Sequence, residues 1–177
     1  MPGRLVQSVF KKVLASDLTP ALLEELKAVG LDASPGSEPV EQYSRTVWFR
    51  AIELTAAALF PSVGEPLEQQ RQLGRHVISS LQTKNLLKGP FITMAKLVGP
   101  RRALKQAADF GADKLPLQFE VKEKSARELE VIVDEGRQSE FLAGLIEALV
   151  GILGGKDPRV ATLSQTEHRA VFSATWR

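Results

Sequence analysis

The stretch that decides the fold is SEFLAGLIEALVGILGGKDPRVATLSQTEHRAVFSATW, residues 139–176. Apolar residues recur at helical spacing through 141–153, which predicts an apolar helix over 138–154. Residues 160–164 and 170–175 then alternate between apolar and polar side chains, which is typical of a β-hairpin. A helix with one broad apolar face next to a hairpin indicates a helix that lies across a sheet.

Two further strands are predicted just before this stretch. Apolar and polar residues alternate over 117–122 and again over 129–134, so the side-chain period changes from that of a helix to that of a strand near Gly111. Ser125–Arg127 supplies the turn between them. The C-terminal part is therefore expected to form a four-stranded antiparallel sheet in ββαββ order.

The residues before this region have the apolar spacing of helices. Thr19 is a natural N-cap, Pro20 a natural first helical residue and Gly30 a natural stop. Helices are predicted within 20–29, 40–61, 66–84, 90–98 and 100–109. We therefore expect an α+β fold with an N-terminal helical half, in which residues 1–177 form a single domain with a helical subdomain, 1–112, and a ββαββ subdomain, 113–177.

Two glycines interrupt the apolar helix. Gly144 and Gly151 lie seven residues apart, hence on nearly one side, and each costs about 1 kcal/mol relative to alanine in a helix interior. Close packing of the helix on the sheet explains them most simply, and access for a ligand is the alternative.

Composition excludes several classes of protein. The 177 residues carry 23 basic and 21 acidic groups, a balance that gives no argument for nucleic acid as a partner. The chain has no cysteine, which excludes disulfides, thiolate zinc ligands and a thiol nucleophile. No uncharged apolar run reaches the roughly 18 residues that span a bilayer, because Glu147 interrupts the longest one. We expect no membrane span and a cytoplasmic location.

Six segments resemble a family of paralogues confined largely to myxobacteria, a domain of unknown function. They are LTPALLEELKAVGLD, VWFRAIELTAAALFP, LGRHVISSLQTK, LVGPRRALKQA, FLAGLIEALVGILGGKDPRV and FSATW, in the expected order. Residues 109–127 depart from the family pattern, since they lack the expected stretch with Asn-Tyr. A pocket shaped by that region in relatives would differ here.

The ββαββ ending after helices also resembles, more distantly, the superfamily of haem–nitric-oxide-binding and 4-vinyl-reductase-like domains, which includes vesicle-tethering subunits. This resemblance implies a non-enzymatic module that binds a small apolar molecule, or senses one, between the helical half and the sheet. Eight residues, called the pocket residues below, are the candidates for ligand contact: Trp48, Ile52, Val77, Leu81, Phe119, Val131, Phe141 and Leu145.

Two other functions stay open. One is a protein-interaction or assembly subunit with a filled core, which could self-associate as a homodimer. The other is a haem sensor with His76 as the iron ligand, although the Tyr-x-Ser-x-Arg motif that holds the propionates in haem-binding members is missing. His168 falls in the hairpin turn and is expected at the surface. No metal site and no resident cofactor are predicted.

A basic cluster surrounds the helix start at Pro100. Arg101, Arg102 and Lys105 could bind an anion together with the free N–H groups of the helix, and a solvated helix face is the alternative. No catalytic residue is predicted, because the carboxylates fall at exposed positions and no Gly-x-Ser-x-Gly elbow is present. The chain is therefore expected not to be an enzyme.

Overall fold

The computed structural model describes residues 2–38, 40–84, 90–111 and 119–177. Within them, helices come first and a four-stranded antiparallel sheet follows, with one helix inserted between the two hairpins. The α+β class and the ββαββ order are confirmed. The predicted subdomain boundary at 112/113 lies outside the described residues, so the two-subdomain division stays a prediction.

The helices are α1 (Gly3–Ser8), continued by a π-helical segment (Val9–Val13), then α2 (Pro20–Ala28), α3 (Arg45–Leu59), α4 (Pro66–Thr83), α5 (Pro90–Gly111) and α6 (Ser139–Ile152). The segments from α2 to α6 were predicted from the apolar spacing, whereas α1 and the π-helical segment were not. The α5 helix is interrupted at Gly99, whose φ of 79° and ψ of 170° are not helical. The two helices predicted over 90–98 and 100–109 are therefore two halves of one kinked element.

Side chains cap two helices, and the sequence predicted the first of these caps. The Thr19 hydroxyl accepts a hydrogen bond from the Leu22 N–H at 3.2 Å, and Pro20 follows as the first helical residue. The Ser44 hydroxyl does the same for the Val47 N–H, also at 3.2 Å. Both caps satisfy an N–H group that the first turn of a helix leaves without a backbone partner.

The sheet consists of β1 (Phe119–Ser125), β2 (Glu128–Val133), β3 (Arg159–Gln165) and β4 (Ala170–Thr175). The strands lie in the order β1-β2-β4-β3. Strands β1 and β2 pair with Val121 opposite Val131, which confirms the predicted pairing of the two segments. Residues 117 and 118 of the predicted first strand lie outside the described residues. Strands β1 and β3 form the two edges.

The core lies between α6, the inner face of the sheet and the helical half. Alternate residues of β4 are fully buried, namely Ala170, Phe172 and Ala174, and Leu129 and Val131 of β2 lie beside them in the same cluster. Period-two burial of this kind is what a sheet with one covered face requires.

Across the described residues, no helix combines the length and the apolar character that crossing a membrane requires.

The glycine in the middle of α6 packs against a helix and not against the sheet. A Cβ atom at Gly144 would lie 2.0 Å from the backbone carbonyl oxygen of Arg71 in α4, and one at Gly74 would lie 2.2 Å from that of Phe141. At Gly151, by contrast, a Cβ atom would make an ordinary 3.7 Å contact with Pro158. At Gly144 the expectation of helix–sheet packing was wrong, because the close approach joins the backbones of α4 and α6.

Candidate functional site

The pocket residues come from four regions of the chain, and the fold brings them into one apolar cluster. Trp48 and Ile52 lie on α3, Val77 and Leu81 on α4, Phe119 and Val131 on β1 and β2, and Phe141 and Leu145 on α6. Trp48, Ile52, Val77, Val131 and Phe141 are buried, whereas Leu81, Phe119 and Leu145 are half-buried against the same core. Their binding role stays a prediction.

Aromatic rings occupy the space around Trp48. The Trp48 and Phe141 ring centroids are 6.2 Å apart with the planes at 76°, and Trp48 meets Phe10 at 6.1 Å and 86°. These edge-to-face contacts are a favourable arrangement of aromatic side chains. Sequence reasoning missed Phe10, whose signal was a single aromatic residue in the short apolar stretch LVQSVF near the N-terminus.

A surface groove lies at the α3–α4 pair, apart from the pocket residues. It has a volume of about 340 Å³. It is lined by Arg50, Glu53, Leu54 and Ala57 of α3 and by Pro66, Gln69 and Gln70 of α4. None of the pocket residues lines this groove. Its location on the outside of the α3–α4 pair is therefore distinct from the predicted site between the halves.

A cluster of ion pairs joins α4, α6 and β3. The Arg71 guanidinium donates from Nη2 to Glu147 Oε1 at 2.8 Å and from Nη1 to Glu140 Oε2 at 3.0 Å. The Arg75 Nε donates to Glu147 Oε2 at 2.6 Å. Glu147 also accepts a hydrogen bond from the Val160 N–H, and Arg71 donates to the Val160 carbonyl.

Burial and pairing act against each other in this cluster. Burial alone would raise the pKa of the Glu147 carboxyl, but the hydrogen bonds and charges of Arg71 and Arg75 outweigh it and lower that pKa. Burial alone would lower the pKa of Arg71, and its bonds to Glu147 and Glu140 raise it instead. Both groups are therefore charged at neutral pH. The one sequence signal was Glu147, an isolated charge in an apolar helix.

The described side chains do not offer a haem ligand at the pocket residues. The Nε2 atom of His76 lies 3.1 Å from Asp17 Oδ2 and 3.3 Å from Ser80 Oγ, and the ring packs edge-on against Phe60. This ring nitrogen is thus already hydrogen-bonded to Asp17 and Ser80. His168 is exposed in the β3–β4 turn. Haem ligated through a histidine does not fit this donor set.

The basic residues at Pro100 face a carboxylate of the chain itself. Arg101 Nε lies 3.8 Å and Lys105 Nζ lies 3.6 Å from the Glu123 carboxylate on β1. All three side chains are more than a third exposed, so these contacts are weak surface pairs. Arg102 is exposed beside them. Anion binding at Arg101, Arg102 and Lys105 stays a prediction.

Two other observations bear on the chemistry of the molecule. The hydroxyl of Thr55, a fully buried residue of α3, has no hydrogen-bond partner within the described part of the chain, although buried hydroxyls are normally bonded. Among the described residues, no three histidine or acidic side chains come close enough together to hold a metal ion.

Solved structures of H-NOX domains share the fold over the whole chain. One, described in work on the molecular mechanism of H-NOX activation, has a TM-score of 0.68 at 17% identity and covers 100% of this chain and 97% of its own. An oxygen-binding H-NOX domain related to soluble guanylate cyclases, in its oxygen complex, has a TM-score of 0.60 at 16% identity. The match covers 100% of this chain and 95% of that domain. A mutant of T. tengcongensis H-NOX has a TM-score of 0.61 at 16% identity, and the match covers 100% of this chain and 98% of that one.

At these identities the likeness shows the fold, and it confirms the resemblance to the haem–nitric-oxide-binding superfamily. None of the curated proteins that were compared matches the chain. The model of one family, described as "Protein of unknown function (DUF2378)", matches residues 1–177, which is the full length. The chain therefore belongs to that family of unknown function.

Proposed function

We propose that this protein is a non-enzymatic sensory module that binds a small apolar molecule between its helical half and its sheet. The observation that carries the proposal is the H-NOX fold over the full length of the chain, since one of the similar structures is an oxygen-binding H-NOX domain. The pocket residues support it further, because they are apolar and belong to one core cluster or pack against it. The ligand contacts in this proposal centre on Trp48, Ile52 and Phe141.

Haem is not the ligand in this proposal. The protein has two histidines: His76 is hydrogen-bonded to Asp17 and Ser80, and His168 is exposed in a turn. Reconstitution with haemin should therefore leave no Soret band after desalting, and a His76→Ala variant should behave like the wild type. A Soret band that survives desalting in the wild type and is lost in the variant would show that the histidine does bind iron.

A native mass spectrum tests the proposal directly. We expect a mass above that of the polypeptide, with the excess lost on denaturation and the passenger identified from the denatured fraction. A Trp176→Phe variant leaves Trp48 as the single tryptophan, and its emission should change when the passenger is removed. A native mass equal to that of the polypeptide, together with Trp48 emission that does not change after extraction of apolar molecules, would rule out a bound ligand.

A second function, an interaction or assembly subunit with a filled core, is favoured by the contacts of Trp48 with Phe10 and Phe141. Rings that already contact one another leave less space for a ligand around the tryptophan. Light scattering coupled to gel filtration distinguishes the two functions. A stable oligomer without a passenger supports the subunit, whereas a monomer with a passenger supports the sensor.

A further inference from the structure

Two large apolar side chains protrude from the first half of α5. Met94 is 61% exposed, and Leu97, one helical turn later, is 79% exposed. The opposite face of this helix packs inward, since Ala95 is buried and Val98 lies against the core. The other exposed large apolar side chains of the described residues come from separate parts of the chain, namely Val40, Leu67 and Leu163. Met94 and Leu97 therefore form a small apolar patch on a helix face that the core does not use.

The sequence that carries this patch is basic. Between Glu68 and Asp109 there is no aspartate or glutamate, whereas eight lysines and arginines fall in the same interval. In a chain of almost balanced charge, this interval concentrates positive charge on α4 and α5. Positive charge beside exposed apolar side chains indicates a partner that is negatively charged and also offers an apolar region.

Three cations of α5 are available to such a partner. Lys96 belongs to the first half of the helix, Arg102 and Lys105 lie one turn apart in the second half, and all three are exposed. Arg101 and Lys105 share the Glu123 carboxylate at 3.8 and 3.6 Å, so one negative charge faces two positive ones. Surface pairs of this kind are weak, so another anion can replace Glu123 beside Lys105.

The size of the patch favours a membrane surface over a folded protein as the partner. A stable protein–protein interface takes about 20–30 residues from each side. The two protruding apolar side chains and the few cations of α5 are far fewer. An anionic bilayer needs no matching cavity, because its acyl chains receive apolar side chains while its headgroups bind the cations beside them.

We propose that α5 is a peripheral attachment site for an anionic lipid bilayer. Met94 and Leu97 enter the boundary between headgroups and acyl chains, and Lys96, Arg102 and Lys105 bind the lipid phosphates. This attachment goes beyond the proposed sensory function and does not depend on a ligand in the core.

Cosedimentation of the full chain with vesicles tests the proposal. We expect binding to vesicles of phosphatidylcholine mixed with phosphatidylglycerol, little binding to phosphatidylcholine alone, and weaker binding as the sodium chloride concentration rises. Met94→Ser combined with Leu97→Ser should weaken binding about tenfold or more, because the apolar contact with the bilayer is lost. Leu67→Ser combined with Leu163→Ser is the matched control, since it removes two exposed apolar side chains elsewhere and should leave binding unchanged.

A second pair of variants tests the cations. Each cation near an anionic surface contributes about 1 kcal/mol, which is about fivefold in binding. Binding should therefore fall about a hundredfold when three cations of α5 are replaced together, as Lys96→Gln, Arg102→Gln and Lys105→Gln. The matched control lowers the net charge equally by replacing three exposed cations that precede α3, and it should keep most of the binding: Arg4→Gln, Lys12→Gln and Lys27→Gln.

Circular dichroism checks that each variant is folded, and the wild-type arms with the two kinds of vesicle do not depend on any variant. Wild-type protein that stays in the supernatant with the anionic vesicles overturns the proposal. Equal binding by the α5 variants and their controls overturns it as well. Binding that requires the cations but not Met94 and Leu97 has the same consequence, because a soluble acidic protein would then satisfy the patch equally well.

Discussion

The contact between the α4 and α6 backbones makes Gly144 a residue at which one added methyl group should destabilise the fold. In an unconstrained helix, Gly144→Ala would stabilise the chain by about 1 kcal/mol through helix propensity. Here the added Cβ atom would lie 2.0 Å from the Arg71 carbonyl oxygen. That is about 1.5 Å closer than an ordinary non-bonded contact of about 3.5 Å. The obstacle is backbone, so no side-chain rotation can relieve it.

The overpacking cost therefore outweighs the propensity gain. Extra methylenes in a well-packed interior cost about 1–3 kcal/mol, and a backbone obstacle calls for the upper end of that range. Subtracting the gain of about 1 kcal/mol leaves a net loss of about 2 kcal/mol in the free energy of unfolding. For a chain of this length, such a loss lowers Tm by about 4–8 °C.

Urea unfolding followed by circular dichroism measures this loss, and Gly151→Ala is the matched control. Gly151 lies in the same helix, is exposed, and its added Cβ atom would meet only Pro158 at 3.7 Å. The same substitution there should stabilise the protein by about 0.5–1 kcal/mol, because the restriction of the unfolded chain is the same and no clash opposes it. If Gly144→Ala proves as stable as the wild type, or more stable, the inferred backbone contact between α4 and α6 is wrong.

Three further predictions concern polar groups. The folded-state pKa of Glu147 is lowered, so the stability that its carboxylate contributes is complete above the unfolded-state pKa and is lost as the pH falls through the folded-state pKa. Urea unfolding at a series of pH values should therefore show the wild type losing more stability than Glu147→Gln below about pH 4.3. Thr19→Ala should cost about 1 kcal/mol in urea unfolding through loss of the cap on the Leu22 N–H, and an unchanged midpoint would contradict that cap. Thr55→Val should raise the free energy of unfolding by about 1–2 kcal/mol, because the replaced hydroxyl is buried and none of the described residues bonds it. A lower free energy of unfolding would reveal a partner for that hydroxyl.

The local features of the fold were predictable because their causes lie within a few residues. Thr19 and Pro20 start α2, and the capping bond of Thr19 spans only three residues. The change of side-chain period near Gly111 predicted the pairing of β1 with β2, whose connecting turn is two residues long. Alternation along β4 identified Phe172 as an inward residue for the same reason.

The candidate site was predictable only in part. Periodicity identified side chains such as Trp48 and Phe141 as inward-facing, and both are buried. It could not tell whether those side chains surround a space or touch each other, because two residues 93 positions apart carry no shared local signal. Their ring contact, and the contribution of Phe10 to it, became visible only in the folded molecule.

The sequence by itself determined the helices from α2 to α6, the four strands and the apolar face of each, since these depend on backbone preferences and on side-chain spacing over one or two turns. It did not predict α1 or the π-helical segment after it. Only the tertiary structure decided that Gly144 meets α4 and not the sheet, and that Glu147 in an apolar helix bonds Arg71 and the edge of β3. The physical reason is distance along the chain: a steric limit or a hydrogen bond between residues far apart in sequence exists only after the elements have packed.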